Sequence, residues 1–195
     1  MKKTLLFIPA LILIISCTAD DDTADYHPLA VGYSWEYDVI QTDSQTQTAV
    51  QISTITAEVV SSHGTLFEQV TSTDWEDTST TAWLDTSYLQ ERGGNVLFYN
   101  DINDSEPDTL LVLPLVLGNT WTVRIEPWGS MTGEVLGLED LAVPAGTFTE
   151  CWRIQYTGLD DTGYSWFAPD VGLIKHEAAG PTTAFSKELT DFSTQ

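Results

Sequence analysis

Pro28-Leu29-Ala30-Val31-Gly32-Tyr33-Ser34-Trp35-Glu36-Tyr37-Asp38-Val39 sets the terms in which the rest of the chain is read. Trp35, Tyr37 and Val39 alternate with Glu36 and Asp38, the period-two pattern of a strand with one buried face. Ahead of it, proline and glycine set a tight entry turn, and the tryptophan covers the core beneath that turn. The same alternation returns at Trp121, Val123 and Ile125 against Thr122, Arg124 and Glu126, and at Trp152, Ile154 and Tyr156 against Arg153 and Gln155. Residues 46–60 are crowded with Thr, Val and Ile, as half-buried strands require. Turn residues punctuate at short intervals, among them His63-Gly64, Gly93-Gly94-Asn95, Pro144-Ala145-Gly146 and Gly180-Pro181. No long stretch carries a helical stripe, so the fold class is all-β.

The opening stretch also recurs. Pro28-Leu29-Ala30-Val31-Gly32-Tyr33-Ser34-Trp35 matches Pro114-Leu115-Val116-Leu117-Gly118-Asn119-Thr120-Trp121 in its Pro, Leu, Gly and Trp, with Ser34 and Thr120 chemically alike. Further on, Thr56-Ala57-Glu58-Val59-Val60 parallels Thr132-Gly133-Glu134-Val135-Leu136, and Phe67-Glu68-Gln69-Val70 parallels Trp152-Arg153-Ile154-Gln155. Trp83-Leu84 and Trp166-Phe167 each open a strand–turn–strand segment. The order is the same in both halves, so one β domain over 26–195 is expected, built from two similar units of about five strands each, 28–113 and 114–195.

Three segments together resemble a family of bacterial envelope lipoproteins: Pro28-Leu29-x-x-Gly32-x-x-Trp35-x-Tyr37, Val143-Pro144-Ala145-Gly146-Thr147-Phe148-x-x-Cys151, and Trp166-Phe167-Ala168-Pro169-x-Val171-Gly172-Leu173-Ile174-Lys175. The resemblance covers most of 26–178. It implies a strongly curved antiparallel sheet, an open or half β-barrel similar in outline to the periplasmic lipoprotein carriers. Asp170 stands where the family usually has glycine, which leaves the turn there open. No activity is established for such proteins, so the resemblance implies fold and location and no reaction.

The first residues fit that location. Lys2 and Lys3 precede an apolar run, Leu5 to Ile15, broken only by Pro9. It is short of the roughly 20 residues that cross a bilayer and has the length of a signal-peptide core. The run ends in Ile14-Ile15-Ser16-Cys17, an order that resembles the bacterial lipobox. The resemblance implies a signal peptide over 1–16, diacylglycerol on the Cys17 sulfur, and a further acyl chain such as palmitate on the freed amine. Two or three chains anchor stably where one does not. Residues 17–25, with Asp20, Asp21, Asp22 and Asp25, read as a disordered acidic tether. Thr18 after the cysteine implies release to the outer membrane in the enterobacterial pattern. The aspartates resemble a surface-export signal and suit a plain linker equally, so the periplasmic face and the cell surface both stand.

Cleavage before Cys17 leaves five basic residues against 29 acidic ones, a formal charge of −24 with the acylated terminus neutral. Such a body is repelled by nucleic acid and by anionic headgroups, so the lipid must hold it at the membrane. With Cys17 committed to lipid, Cys151 stands alone and no intrachain disulfide forms.

Candidate chemistry is sparse. His27, His63 and His176 are scattered without a cysteine or carboxylate at metal-ligand spacing. Ser165 follows Gly163-Tyr164 but precedes Trp166-Phe167, so no nucleophile elbow is present, and no phosphate-cradling glycine motif occurs. Asp101, Asn103, Asp104, Glu106 and Asp108 offer oxygen ligands for calcium but lack the glycine and distal glutamate of an EF-hand, and a solvated acidic loop is the favoured reading. Cys151 reads as a small buried hydrophobe, not a nucleophile. Most tryptophans belong to the core by alternation; Trp75 and Trp128, near turns, are the candidates for ligand contact.

The expectation is therefore a non-enzymatic, lipid-anchored protein of the cell envelope, without a cofactor, whose curved sheet binds a hydrophobic small molecule or an envelope protein. A structural or assembly subunit pairing through an exposed sheet edge is the alternative. A carbohydrate-binding surface protein and a hydrolase with an unrecognised site rank below it.

Overall fold

The computed structural model describes residues 24–76, 82–125, 129–158 and 161–194. Among them twelve strands form: β1 Ser34–Thr42, β2 Thr46–Ser61, β3 Gly64–Trp75, β4 Trp83–Arg92, β5 Asn95–Tyr99, β6 Asp108–Val112, β7 Thr120–Ile125, β8 Gly129–Val143, β9 Gly146–Thr157, β10 Thr162–Ala168, β11 Gly172–Ala179 and β12 Ala184–Ser193. All lie in one antiparallel sheet, ordered β6-β5-β4-β3-β2-β1-β12-β11-β10-β9-β8-β7. Consecutive strands pair except β6 and β7, and the first and last strands pair with each other from Ser34↔Ser193 to Thr42↔Ala184. The sheet curls into a nearly closed barrel. Among the described residues six strands fall in each half of the chain, where about five were expected; β5 and β6, five residues apiece, are the shortest of them.

The opening stretch folds as its alternation demands. Trp35, Tyr37 and Val39 are buried while Asp38 and Ile40 face solvent. At the entry turn the Gly32 N–H donates to the Ile55 carbonyl at 2.8 Å, and the Ile55 N–H donates to the Tyr33 carbonyl at 2.8 Å. The same bonds form 86 residues later, from Gly118 to Val135 at 2.8 Å and from Val135 to Asn119 at 3.0 Å. Both glycines hold positive φ, 94° and 80°, a conformation that side chains with a Cβ resist. Ile55 and Val135 thus occupy matching places 80 residues apart, which corrects the pairing of 56–60 with 132–136 at an offset of 76. The cause is hairpin length: β7 has six residues where β1 has nine, and three fewer on each arm shorten the hairpin by six.

Where the sheet would close, β6 and β7 share no ladder. Side chains bridge the seam instead. Trp121 Nε1 donates to the Thr109 carbonyl at 3.1 Å, and Tyr156 Oη donates to the Leu110 carbonyl at 3.0 Å. Trp121 reaches this position by lying over Gly133, its partner across the β7–β8 ladder; a Cβ there would sit 2.5 Å from the indole.

One core cluster gathers Trp35, Tyr37, Ile55, Leu89, Ile174 and Leu189. A second, at the seam side, gathers Val96, Leu111, Leu115, Val135, Ile154 and Phe167. Leu66, Leu97 and Tyr99 form a third on the other face of β3–β5, since successive strand residues point oppositely and Val96 belongs to the second. Each fully buried Leu, Ile or Val contributes about 1.5–3 kcal/mol, so these clusters hold the barrel without any cross-link. At the β10–β11 turn Asp170 takes φ 60°, a left-handed conformation that aspartate tolerates better than most residues with a Cβ. Asp170 also ties down the chain's entry: its N–H donates to the Asp25 carbonyl at 2.7 Å, and its Oδ1 accepts from the Asp25 N–H at 3.0 Å.

Candidate functional site

The barrel encloses a cavity of about 670 Å³. Its floor is the segment His27-Pro28 with Trp35, fixed by Trp35 Nε1 donating to the Val171 carbonyl at 2.6 Å. Pro28 and Gly172 are buried at that end, whereas the lining residues Asn100 and Asp161 at the opposite strand ends are exposed. The cavity therefore opens away from the end at which His27 and Pro28 lie. Leu89, Phe98, Leu110, Val123, Met131 and Phe167 supply apolar wall. A volume of this size, with apolar wall and polar side chains converging on it, is the form of a small-molecule site.

One row of the polar lining comes from three consecutive strands. Folding β10, β11 and β12 into two hairpins puts Ser165 opposite His176 and His176 opposite Lys187, all three on the cavity wall. Ser165 Oγ and His176 Nδ1 are 2.8 Å apart in a hydrogen bond. Lys187 Nζ lies 4.7 Å from the centroid of the Tyr37 ring and donates to Gln51 Oε1 at 3.4 Å. Tyr37 is held by its own hydroxyl, which donates to the Leu173 carbonyl at 2.9 Å.

Burial tunes these groups. It holds the Lys187 ammonium down to about 8, and it holds His176 down to about 4 with the Lys187 charge acting in the same direction. At neutral pH His176 is the uncharged imidazole. His27, at the floor, is also lowered by burial, and its Nδ1 is shielded from solvent with no hydrogen-bond partner. Phenols on the wall, Tyr37 and Tyr156, are pushed upward by burial and stay protonated.

Ser165 with His176 is the pairing that sequence inspection missed. As a nucleophile and base it is incomplete. Among the described residues no carboxylate bonds to His176; Glu177, next in the chain, bonds Lys175 at 2.7 Å instead. Ser165 sits mid-strand with ladder partners on both sides, Ile154 and His176, so its backbone does not offer the free N–H of an oxyanion hole.

The other candidates are placed as follows. Trp75 is partly buried and packs on the main core, and it does not line the cavity; Trp83 is 68% exposed. Trp128 and Cys17 lie outside the described residues. Asp101, Asn103, Asp104, Glu106 and Asp108 are not drawn into a metal site: among the described residues no three His, Cys, Asp or Glu are grouped to hold an ion. Asp101 Oδ1 accepts from the Asn103 N–H at 2.8 Å, and Asp104 Oδ1 from the Glu106 N–H at 3.1 Å, turns made by the side chains themselves. Cys151 is fully buried, and burial, with Asp140 adding, pushes its thiol up to about 11.

Fold and site together define a single-sheet antiparallel β-barrel with a one-ended apolar interior. Solved structures with the same architecture are an exported protein with a YmcC-like fold from Bacteroides fragilis and a lipoprotein from Parabacteroides distasonis. The first has a TM-score of 0.59 at 12% identity and covers 87% of this chain and 99% of its own. The second has a TM-score of 0.57 at 16% identity, over 88% of this chain and 100% of its own. At those identities the likeness is one of fold. No protein-family model matches the chain, and no curated protein matches it in sequence.

Proposed function

We propose that this chain is a non-enzymatic, lipid-anchored protein of the cell envelope, held through acylated Cys17 at the outer membrane, whose barrel interior carries a hydrophobic ligand. The cavity carries this reading: about 670 Å³ of space, walled by Leu89, Phe98, Leu110, Val123, Met131 and Phe167 and reached from one end. The lipobox-like Ile14-Ile15-Ser16-Cys17 supports the anchor, and so do an exported protein and a lipoprotein among the proteins that share the fold. An interior mouth facing away from His27 and Pro28, which follow the expected tether in sequence, suits a protein that takes up its ligand from outside its own membrane. Assembly through an open sheet edge has less to use, because β6 spends two carbonyls on Trp121 and Tyr156.

Binding of 1-dodecanol, a neutral single-chain probe, tests the reading on the mature chain from residue 17 onward carrying Cys17→Ser. Among the described residues every strand lies between Ser34 and Ser193, so removal of residues 1–16 leaves these twelve strands whole. Saturable one-to-one binding, abolished by Met131→Trp without loss of the β-sheet circular dichroism signal, is the expected result. No binding, or binding indifferent to Met131→Trp, overturns the reading.

A further inference from the structure

Lys187 has no counter-charge. Among the described residues no carboxylate lies within ion-pair distance of its Nζ; the groups that face it are the Tyr37 ring from β1, Gln51 from β2 and His176 from β11. The contrast with Lys175 on the neighbouring strand is sharp. Lys175 points to the other face and binds two carboxylates, Glu177 at 2.7 Å and Glu188 at 2.9 Å. In a chain with 29 acidic residues and seven basic ones, a lysine without an acid is a conspicuous arrangement. A partly buried charge costs free energy unless something compensates it, and burial has already lowered this ammonium to about 8. Among the described residues only neutral groups face this charge, which leaves room for an anionic partner supplied by a ligand.

Resting on the reading of the interior as a hydrophobic site, we propose that its ligand is a single-chain amphiphile with one negative charge, a long-chain carboxylate whose head group binds Lys187 Nζ. Lys187 is the one cationic side chain among the described residues lining the cavity, and His176 is held neutral beside it, so a head group at this row meets a single positive charge; the acids of the lining, Asp108 and Asp161, stand at the strand ends by the mouth. The rest of the ligand follows from the wall. Strand β12 lies at the middle of the sheet order and the β6–β7 seam at its ends, so Lys187 and the seam stand on opposite sides of the barrel. Leu110, Val123 and Met131 line the seam side and accept the alkyl chain once the head group is at Lys187. Ser165 and His176, in the same row, share one hydrogen bond, so the neutral pair keeps one donor, the Ser165 hydroxyl or the His176 Nε2–H according to the tautomer, for the second carboxylate oxygen. The acidic exterior repels such an anion at long range, but that repulsion is screened beyond about 8 Å at physiological salt while the ion pair inside is not. Association therefore speeds up as salt is added.

The test compares dodecanoate with 1-dodecanol on the mature Cys17→Ser chain by calorimetry at pH 7. Dodecanoate should bind roughly ten- to hundredfold tighter, and Lys187→Met should bring the two to parity while 1-dodecanol is unaffected. A second reading needs no variant. At pH 8.5, measured in buffers of different ionisation heat, wild-type protein should take up about three-quarters of a proton at most with dodecanoate and none with dodecanol, as Lys187 is recharged by its partner. If the alcohol binds but the acid is no tighter and no proton is taken up, the head-group assignment is overturned and the hydrophobic interior stands. If neither binds, both fall.

Discussion

Lowering the pH from 7 to 4 should destabilise this protein through His176 in particular. Its ordinary value near 6.5 is brought down to about 4 by burial and by Lys187, so the folded state favours the neutral ring. Between those two values the unfolded chain binds the proton and the folded chain does not. Stability is therefore complete above about 6.5, falls as pH drops through the window, and levels off below about 4. The gap between 6.5 and about 4 corresponds to about 3 kcal/mol at most. His27 acts in the same sense, and neutralisation of 29 carboxylates relieves self-repulsion over the same range, so the raw pH profile mixes several contributions. His176→Gln isolates one of them: glutamine keeps a hydrogen-bonding group near Ser165 and cannot titrate. Urea denaturation of wild type and variant, at half-unit steps from pH 7.5 to 4, gives the difference. The variant's deficit at neutral pH should shrink by about 2–3 kcal/mol on acidification. A difference that stays constant across the window would refute the reasoning, because His176 would then titrate alike in the folded and unfolded chains.

Other expectations follow from packing. Gly133→Ala puts a Cβ 2.5 Å from the Trp121 indole and must displace the ring from its bond to Thr109, costing about 1–3 kcal/mol in urea denaturation. In Trp121→Ala the same substitution should cost under about 0.5 kcal/mol, and equal costs in both backgrounds would contradict the seam described above. Cys151, buried with its thiol raised to about 11, should resist a thiol reagent for hours at pH 8 and react within minutes in guanidinium; native labelling as fast as unfolded labelling would show the site to be open. Trp35→Phe removes the bond to Val171 that fixes the cavity floor and should cost about 1–2 kcal/mol, measured as a lowered urea midpoint at unchanged slope.

Much of this architecture was legible in the residues. Alternation at Trp35-Tyr37-Val39 and at Trp152-Ile154-Tyr156 reports directly on which side chains face inward, because a strand has a period of two whatever surrounds it. The recurrence of Pro-Leu-x-x-Gly-x-x-Trp marked two places where the chain makes the same turn, and the hydrogen bonds at Gly32 and Gly118 match. Register between strands was less accessible. It depends on hairpin arm lengths and bulges, such as those after Ile55 and Val135, that leave no compositional trace. The cavity row was hidden for the same reason. Ser165, His176 and Lys187 are eleven residues apart in turn, dispersed in sequence, and meet only once the turns near Asp170 and at Gly180-Pro181 are given their full geometry. With those two turns as hairpin centres the arithmetic would have joined all three. Trp75, at the tip of a long strand, folds over the core although its sequence position lies near a turn, because the sheet is curled.

The central claim is that the barrel interior is a place for an alkyl chain. Crystals of the mature Cys17→Ser chain grown with 12-bromo-1-dodecanol, with data collected at the bromine absorption edge, would locate the chain terminus directly. The account predicts a bromine peak inside the sheet, among Leu110, Val123 and Met131. Bromine on the outer face, or an interior already filled by the protein's own side chains, would contradict it.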